Sequence, residues 1–374
     1  MVDYDLLVPY GWTEAVANEY DSLIDDGCVP ARVIRMDRSE CDVATPTGLA
    51  RARCQRLIWP ERGPSVVTQA ASSRPDPLRR RGADSEISGL CTGDWVSIDA
   101  ELNVRQLLPR RGAITRSAAD RRAQGQVLAA NVDTVLICSA ADGDIDLGRI
   151  ERMLALAWES SAQPIVVLTK ADAALDIPLD DVQAVAPGAV ALAVSADTGS
   201  GLDVLTAMLD GTVALIGPSG VGKSTLANAL IGQEVFATNA VRSVDKKGRH
   251  TTVHRELRPL PGGGTLIDTP GLRGIGLWDA AEGIEKAFSD IESLAAHCRF
   301  DDCAHNGEPG CAVQEAVDSG ALTQRRFDSY RKLERENAWM AARSDKRLQA
   351  ERAKVWRDIR KQQRQFYQER GSRR

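Results

Sequence analysis

The sequence predicts three successive folds: an all-β barrel of the oligonucleotide-binding (OB) type, a mostly parallel α/β P-loop domain, and a small α-helical zinc domain. Three observations carry this. Short β-type runs broken by Gly, Pro and Asp fill residues 28–115. Apolar strands then alternate with helical segments over 120–285 and lead into the glycine loop GPSGVGKST, Gly217–Thr225. In the last unit, 286–374, three cysteines and a histidine gather within fourteen residues, ahead of long charged helical segments. A helical extension, residues 1–27, precedes the barrel, with Trp12, Ala15, Val16 and Tyr20 at helix-like spacing.

In the barrel, CVPARVIRMD, CDVATPTG, LARARC and DWVSID read as strands. Between the last two, Trp59–Ser88 is rich in Pro, Ser and Arg and reads as a long, mobile barrel loop. Its Arg79–Arg81 run suits either RNA contact or a solvated linker. In the α/β part, Asp133–Ser139, Pro164–Thr169, Ala189–Ser195 and Gly264–Asp268 read as buried strands, and Leu147–Ser160 and Leu202–Leu209 as helices. Runs buried on both faces predict a parallel sheet covered by helices on both sides. Asn239–Thr252 is polar and basic and reads as a mobile loop, and from Ala321 the chain reads as helix.

Composition, 43% hydrophobic and 26% charged in 374 residues, is that of a soluble protein. No apolar run approaches the roughly 18 residues of a membrane span. MVDYDLLVPYGW has no basic leader or long apolar stretch, which predicts no secretion signal. The net charge of -5 hides a basic end: Ala321–Arg374 holds 17 Lys/Arg against 7 Asp/Glu. That excess suits a polyanionic partner, or a solvated helix face. Five of the eight cysteines are scattered, which argues for a reducing cytoplasm and against a disulfide framework.

The glycine loop follows the apolar run Val213–Ile216 and opens the helical Leu226–Ile231. Strand, loop and helix together form a phosphate cradle, in which successive backbone N–H groups and the helix's positive end face the anion. Gly217, Pro218, Ser219, Gly220, Val221, Gly222 and Thr225 would line it. Lys223 would reach the β- and γ-phosphates, and Ser224 would hold Mg²⁺.

TKAD (Thr169, Lys170, Ala171, Asp172) ends a strand and is similar to the guanine-reading Asn-Lys-x-Asp motif of GTPases. A carboxylate there accepts two hydrogen bonds from guanine, and adenine offers no such donor pair. Thr169 stands where that motif has asparagine, an expected loss of the tether to the phosphate loop. Ser195 and Ala196 end the next strand and resemble the companion motif that contacts the guanine oxygen. DTPG, Asp268–Gly271, follows GTLID: Asp268 would hold the Mg²⁺ shell and the Gly271 N–H would sense the γ-phosphate. In GRHTT, Thr251 or Thr252 completes these contacts, Thr252 being favoured. TKAD and Ser195-Ala196 precede the glycine loop, the reverse of ordinary GTPases, so the domain is expected to be circularly permuted. DTPG then feeds directly into the C-terminal unit, which can pass on its switching.

Cys298, Cys303, His305 and Cys311 form Cys-x4-Cys-x-His-x5-Cys, suited to a closed tetrahedral Zn²⁺ site. His297 competes as ligand, but its adjacency to Cys298 makes joint ligation awkward.

The DWV strand, LLPRRGAITR, QVLAANVDTVLI, TKAD ahead of GPSGVGKST, GRHTT, DTPG and the Cys/His cluster together resemble one family, the ribosome small-subunit-dependent GTPases A (RsgA). The resemblance covers about residues 28–330. It implies a barrel, a permuted GTPase domain and a zinc domain. It also implies action in late maturation of the small ribosomal subunit, with contacts to its rRNA near the decoding region. Hydrolysis of GTP to GDP would be stimulated by that subunit and coupled to release of a monomeric cytoplasmic factor. Leu272 stands where Ras-type enzymes place the water-orienting glutamine, so intrinsic hydrolysis should be slow. His250 is the candidate catalytic group, favoured by the resemblance; contact with the partner is its other reading. Arg105, Arg110, Arg111, Arg116, Arg121, Arg122 and the basic C-terminal helices are candidate phosphate contacts, as are Lys246, Lys247 and Arg249. Three rival readings stand beside this one: a GTP-dependent metal-delivery factor, an RNA-binding assembly module with a structural nucleotide site, and a generic P-loop ATPase.

Overall fold

The computed structural model describes residues 4–23, 27–37, 39–54, 89–117, 125–236, 255–268 and 280–344. The N-terminal extension is split. A 3-10 turn, Asp5–Tyr10, ends at Gly11 with φ +86, and helix α1 spans Glu14–Leu23. Trp12 therefore lies outside the helix and packs edge-on against Trp95, with ring centroids 5.2 Å apart.

Five strands follow: β1 Val29–Met36, β2 Glu40–Thr45, β3 Gly48–Arg53, β4 Trp95–Ile98 and β5 Val104–Leu107. β1 pairs antiparallel with both β2 and β4, β2 with β3, and β4 with β5. A bridge between Arg53 and Asn103 joins the ends of β3 and β5. Alternation puts Ala31, Val33, Val43, Ala52, Val96 and Val104 on the enclosed side, all buried. β5 falls outside the runs read from sequence, because VRQL buries only Val104 and Leu107 at its ends. The Trp59–Ser88 insert lies outside the described residues.

A hairpin, β6 Ala113–Ser117 with β7 Gly125–Ala130, leads into the α/β part. Its strands are β8 Thr134–Ala140, β9 Gln163–Thr169, β10 Val190–Ala193, β11 Thr212–Ile216, β12 Glu256–Pro259 and β13 Thr265–Asp268. Their order is β10-β9-β8-β11-β13-β12, with β10 through β13 mutually parallel and β12 antiparallel at the side. Helices α2 Leu147–Glu159, α3 Leu179–Ala184, α4 Leu202–Ala207 and α5 Lys223–Ile231 connect and cover it.

β12 also pairs with β1, Arg35 opposite Glu256, so one eleven-stranded sheet runs from the α/β part into β1–β5. Arg32 sits at this junction, fully buried, under Trp95 (4.7 Å to the ring) and donating to Thr212 Oγ1 at 3.0 Å. Burial lowers its pKa to about 10.

The C-terminal helices are α6 Ala281–Ala287, α7 Ser289–Ala295, α8 Ala312–Asp318 and α9 Gln324–Ser344. They share one apolar core with α2 and the sheet, through Ile150, Leu154, Phe288, Val313 and Phe327. Gly283 lets α6 touch α2, since a Cβ there would collide with the Ala155 carbonyl. α9 is held electrostatically as well. Arg326 is buried, forks onto Asp290 at 2.6 and 2.9 Å, and reaches Glu151 on α2 at 2.9 Å. Arg325 grips Glu151 at 2.9 and 3.1 Å, and Arg152 grips Glu336 at 2.5 and 2.7 Å. Part of the basic surplus of the C-terminal region is thus spent inside the fold. No described helix is long and apolar enough to cross a membrane.

Candidate nucleotide site and metal centre

Because β8, β9, β10, β11 and β13 run parallel, their carboxyl ends share one edge, and the segments leaving them meet there. TKAD leaves β9, Ser195-Ala196 follows β10, the glycine loop leaves β11, and Asp268 closes β13. A ligand crevice at this edge is the general property of open α/β sheets.

The glycine loop is pressed onto β8: a Cβ on Gly217 would strike the Cys138 carbonyl. Gly222, with φ +88, caps α5. Lys223 is buried and donates to the carbonyls of Gly217 (2.9 Å) and Pro218 (2.6 Å), so its ammonium lies within the loop. Pro218, Ser219, Gly220 and Val221 complete the turn, and Thr225 stands in the first turn of α5. Beneath the loop, burial pushes the Cys138 thiol up to about 12, which keeps it neutral beside Lys223. Ser224 Oγ lies 3.4 Å from Asp268 Oδ2, and Asp268 is nearly fully buried. A hydroxyl beside a carboxylate is a hard-oxygen donor set that fits Mg²⁺.

Thr169 corrects a sequence expectation. Its buried hydroxyl donates toward the Val221 carbonyl in the glycine loop and lies 3.2 Å from the Ser139 carbonyl. The tether expected to be lost with asparagine is therefore present, because a hydroxyl on Cβ supplies the same donor at closer approach. Lys170, in the left-handed region at φ +58, turns the chain so that its stem lies over Gly222. The Ala171 N–H donates to the Val194 carbonyl at 3.1 Å, docking TKAD onto the end of β10. Asp172 is exposed, and Ser195 is buried with its Oγ accepting from the Thr198 N–H at 3.1 Å, beside Ala196. Asp142, just past β8, was missed: its carboxylate takes Lys170 Nζ at 2.8 Å. Its place at the carboxyl edge of a central strand is the signal that could have found it. His250, Thr251, Thr252, Gly271 and Leu272 lie outside the described residues, as does the whole Asn239–Thr252 segment.

Cys298, Cys303, His305 and Cys311 converge, their ligand atoms all within 4.8 Å of one another. Cys298 Sγ lies 3.6 Å from His305 Nδ1 and 3.9 Å from Cys311 Sγ, and Cys311 Sγ lies 3.3 Å from His305 Nδ1. A tetrahedron of thiolates about Zn²⁺ has edges of about 3.7 Å, given a Zn–S length of about 2.3 Å. The donor set and spacing fit that ion. His297 stands aside, its Nδ1 2.8 Å from the Ser293 carbonyl. Glu308, unmarked by the sequence reading, organises the knuckle by accepting from the N–H groups of Ala304 (3.3 Å) and Asn306 (2.6 Å).

Among the arginines named for phosphate contact, Arg110 is used by the fold. It forks onto buried Asp94 at 2.7 and 2.8 Å, so the guanidinium named as a candidate phosphate contact is already engaged within the fold. Arg105 pairs with Asp99 at 2.6 Å and Arg111 is exposed. The side chain of Arg116 and all of Arg121 and Arg122 lie outside the described residues.

The RsgA GTPase family model matches residues 107–278. The small ribosomal subunit biogenesis GTPase RsgA of Streptomyces avermitilis is 50% identical over 94% of this chain and 90% of its own length. The chain belongs to the RsgA GTPase family. The Streptomyces coelicolor RsgA of the same name is 49% identical over 93% of this chain and 91% of its own. Among solved structures, YjeQ from Thermotoga maritima aligns with a TM-score of 0.54 at 23% identity, over 82% of this chain and 97% of that one. YloQ, described as a circularly permuted GTPase, aligns with a TM-score of 0.53 at 22% identity, over 86% and 96%. The permuted α/β fold expected from motif order is thus shared with solved proteins. As an RsgA family member the chain is a GTP hydrolase.

Proposed function

We propose that this RsgA family GTPase acts in maturation of the small ribosomal subunit, binding the subunit with GTP and leaving after hydrolysis to GDP. The observation that carries the reading is the meeting of TKAD, the glycine loop and Asp268 at one sheet edge, in permuted order. The names of its Streptomyces relatives supply the subunit.

In this reading Asp172 reads guanine and Lys170 packs on the base, with Ser195 and Ala196 alongside. The loop from Gly217 to Thr225 holds the phosphates through its backbone, and Lys223 balances β- and γ-phosphate charge. Ser224, Asp268 and Thr252 would hold Mg²⁺, which would neutralise charge on the phosphates. Gly271 senses the γ-phosphate, and Leu272 offers water no hydrogen bond. His250 supplies that contact once the subunit is bound, so hydrolysis waits for the partner. The five strands of residues 28–115 serve as an OB barrel on rRNA. The folding units are 1–27, 28–115 with its 59–88 insert, 120–285 and 286–374. A structural Zn²⁺ sits on Cys298, Cys303, His305 and Cys311, in a monomeric cytoplasmic protein.

The test is GTP turnover with purified small subunits, large subunits and neither. Stimulation by small subunits alone is expected, and His250→Ala should bind GTP normally yet lose the stimulation. Turnover indifferent to small subunits would overturn the reading and favour a structural nucleotide site.

A further inference from the structure

Cys41 and Cys54 stand outside the nucleotide and zinc sites. Cys41, the second residue of β2, lies opposite Ala52 of β3, and the ladder continues past Arg53, the Cys54 N–H donating to the Ser39 carbonyl at 2.9 Å. With side chains alternating, Cys41, Ala52 and Cys54 share the inward face. Cys41 is fully buried, whereas Cys54 is partly exposed and packs against the same core. Their sulfurs are 3.4 Å apart, in van der Waals contact across the strand pair. Ordinary core packing does not require two thiols to meet, least of all with one open to solvent.

We propose that Cys54 and Cys41 form a reversible redox dithiol, oxidised by hydroperoxides to a disulfide that staples the end of β3 to β2. Cys54 is the attacking thiol, because it is the one solvent can reach. Its thiolate is favoured by the hydrogen bond from Cys41, which lowers the Cys54 pKa, while the same contact and burial raise that of Cys41. The Cys54 sulfur attacks a peroxide oxygen: an S–O bond forms, the O–O bond breaks, and the departing oxygen leaves as water. Cys41 then attacks the sulfenic sulfur, the S–S bond forms, and the hydroxyl leaves as a second water with the Cys41 proton. Two thiols lose two electrons and two protons, and hydrogen peroxide takes them up. A small dithiol reverses the step. The staple falls one residue past β3, so oxidation ties the end of that strand to β2.

The experiment treats the full-length, zinc-loaded protein with one equivalent of hydrogen peroxide, alkylates remaining thiols, and maps peptides without reduction. Arg51 and Arg53 lie between the two cysteines, so tryptic cleavage leaves two peptides joined only by the new bond. The expected product is the Cys41–Cys54 cross-link, formed before zinc release and reversed by dithiothreitol. In Cys41→Ser, Cys54 should instead accumulate as sulfenic acid trapped by dimedone. Oxidation of the zinc-cluster cysteines while Cys41 and Cys54 stay reduced would overturn the proposal, as would Cys54 reacting no faster than the partly exposed Cys28. The wild-type map decides the matter by itself if the Cys41 variant folds poorly.

Discussion

Replacing Thr169 with valine removes one hydroxyl and keeps the branched shape of the side chain. In the wild type that hydroxyl points at the Val221 carbonyl, inside the glycine loop, and Thr169 is 4% exposed. Water cannot replace the lost donor in such a site, so the cost is that of leaving a buried carbonyl poorly satisfied, about 1–3 kcal/mol. If the loop must hold this geometry to bind nucleotide, GTP affinity falls about 5- to 150-fold, at roughly 1.4 kcal/mol per decade. Titration with a fluorescent GTP analogue measures this directly. Thr169→Asn restores a donor and should recover most of the loss, which separates the hydrogen bond from general disruption. Equal affinity in Thr169→Val and wild type would refute the claim that Thr169 ties the base-reading motif to the phosphate loop.

Arg326→Met should strip Glu151 and Asp290 of a buried partner, destabilising the α2–α9 contact by about 3–5 kcal/mol and lowering the thermal midpoint on the order of 10 °C. Arg335→Met, on the exposed side of α9, should shift it little; scanning calorimetry compares the two. For the metal, elemental analysis should find one zinc per chain that survives mild chelation, and Cys311→Ser should lose it while GTP affinity stays within about threefold, since the nucleotide motifs lie at the sheet edge. Zinc stripped by mild chelation would instead favour the metal-delivery reading.

The parts of the fold legible in the sequence were those with local signals. Buried runs such as Pro164–Thr169 mark central parallel strands, and the spacing from Cys298 to Cys311 marks a ligand set that does converge. The circular permutation followed from motif order, because strand-end motifs keep their places when a sheet is reconnected. What stayed hidden depends on partners distant in sequence. Arg32 occupies a strand position like any other, and only Trp95 and Thr212, brought in by folding, make it a buried cation. The junction of β1 with β12 rests on a single pair, Arg35 and Glu256, and nothing in either strand announces it. Arg110 and Arg326 look like surface charge in sequence, since the carboxylate of Arg110 is 16 positions away and those of Arg326 are 36 and 175.

Asp172 offers the most direct test of one GTP spanning TKAD and the glycine loop. Asparagine there presents a donor where the carboxylate presented acceptors, which suits xanthine, whose C2 carries an oxygen in place of guanine's amine. Competition binding of GTP, XTP and ATP to Asp172→Asn should show GTP weakened by about 100-fold or more and XTP becoming the preferred ligand. Lys223→Ala should weaken both nucleotides alike. An Asp172→Asn protein that keeps its full preference for GTP would contradict the account, because the base would then be read elsewhere.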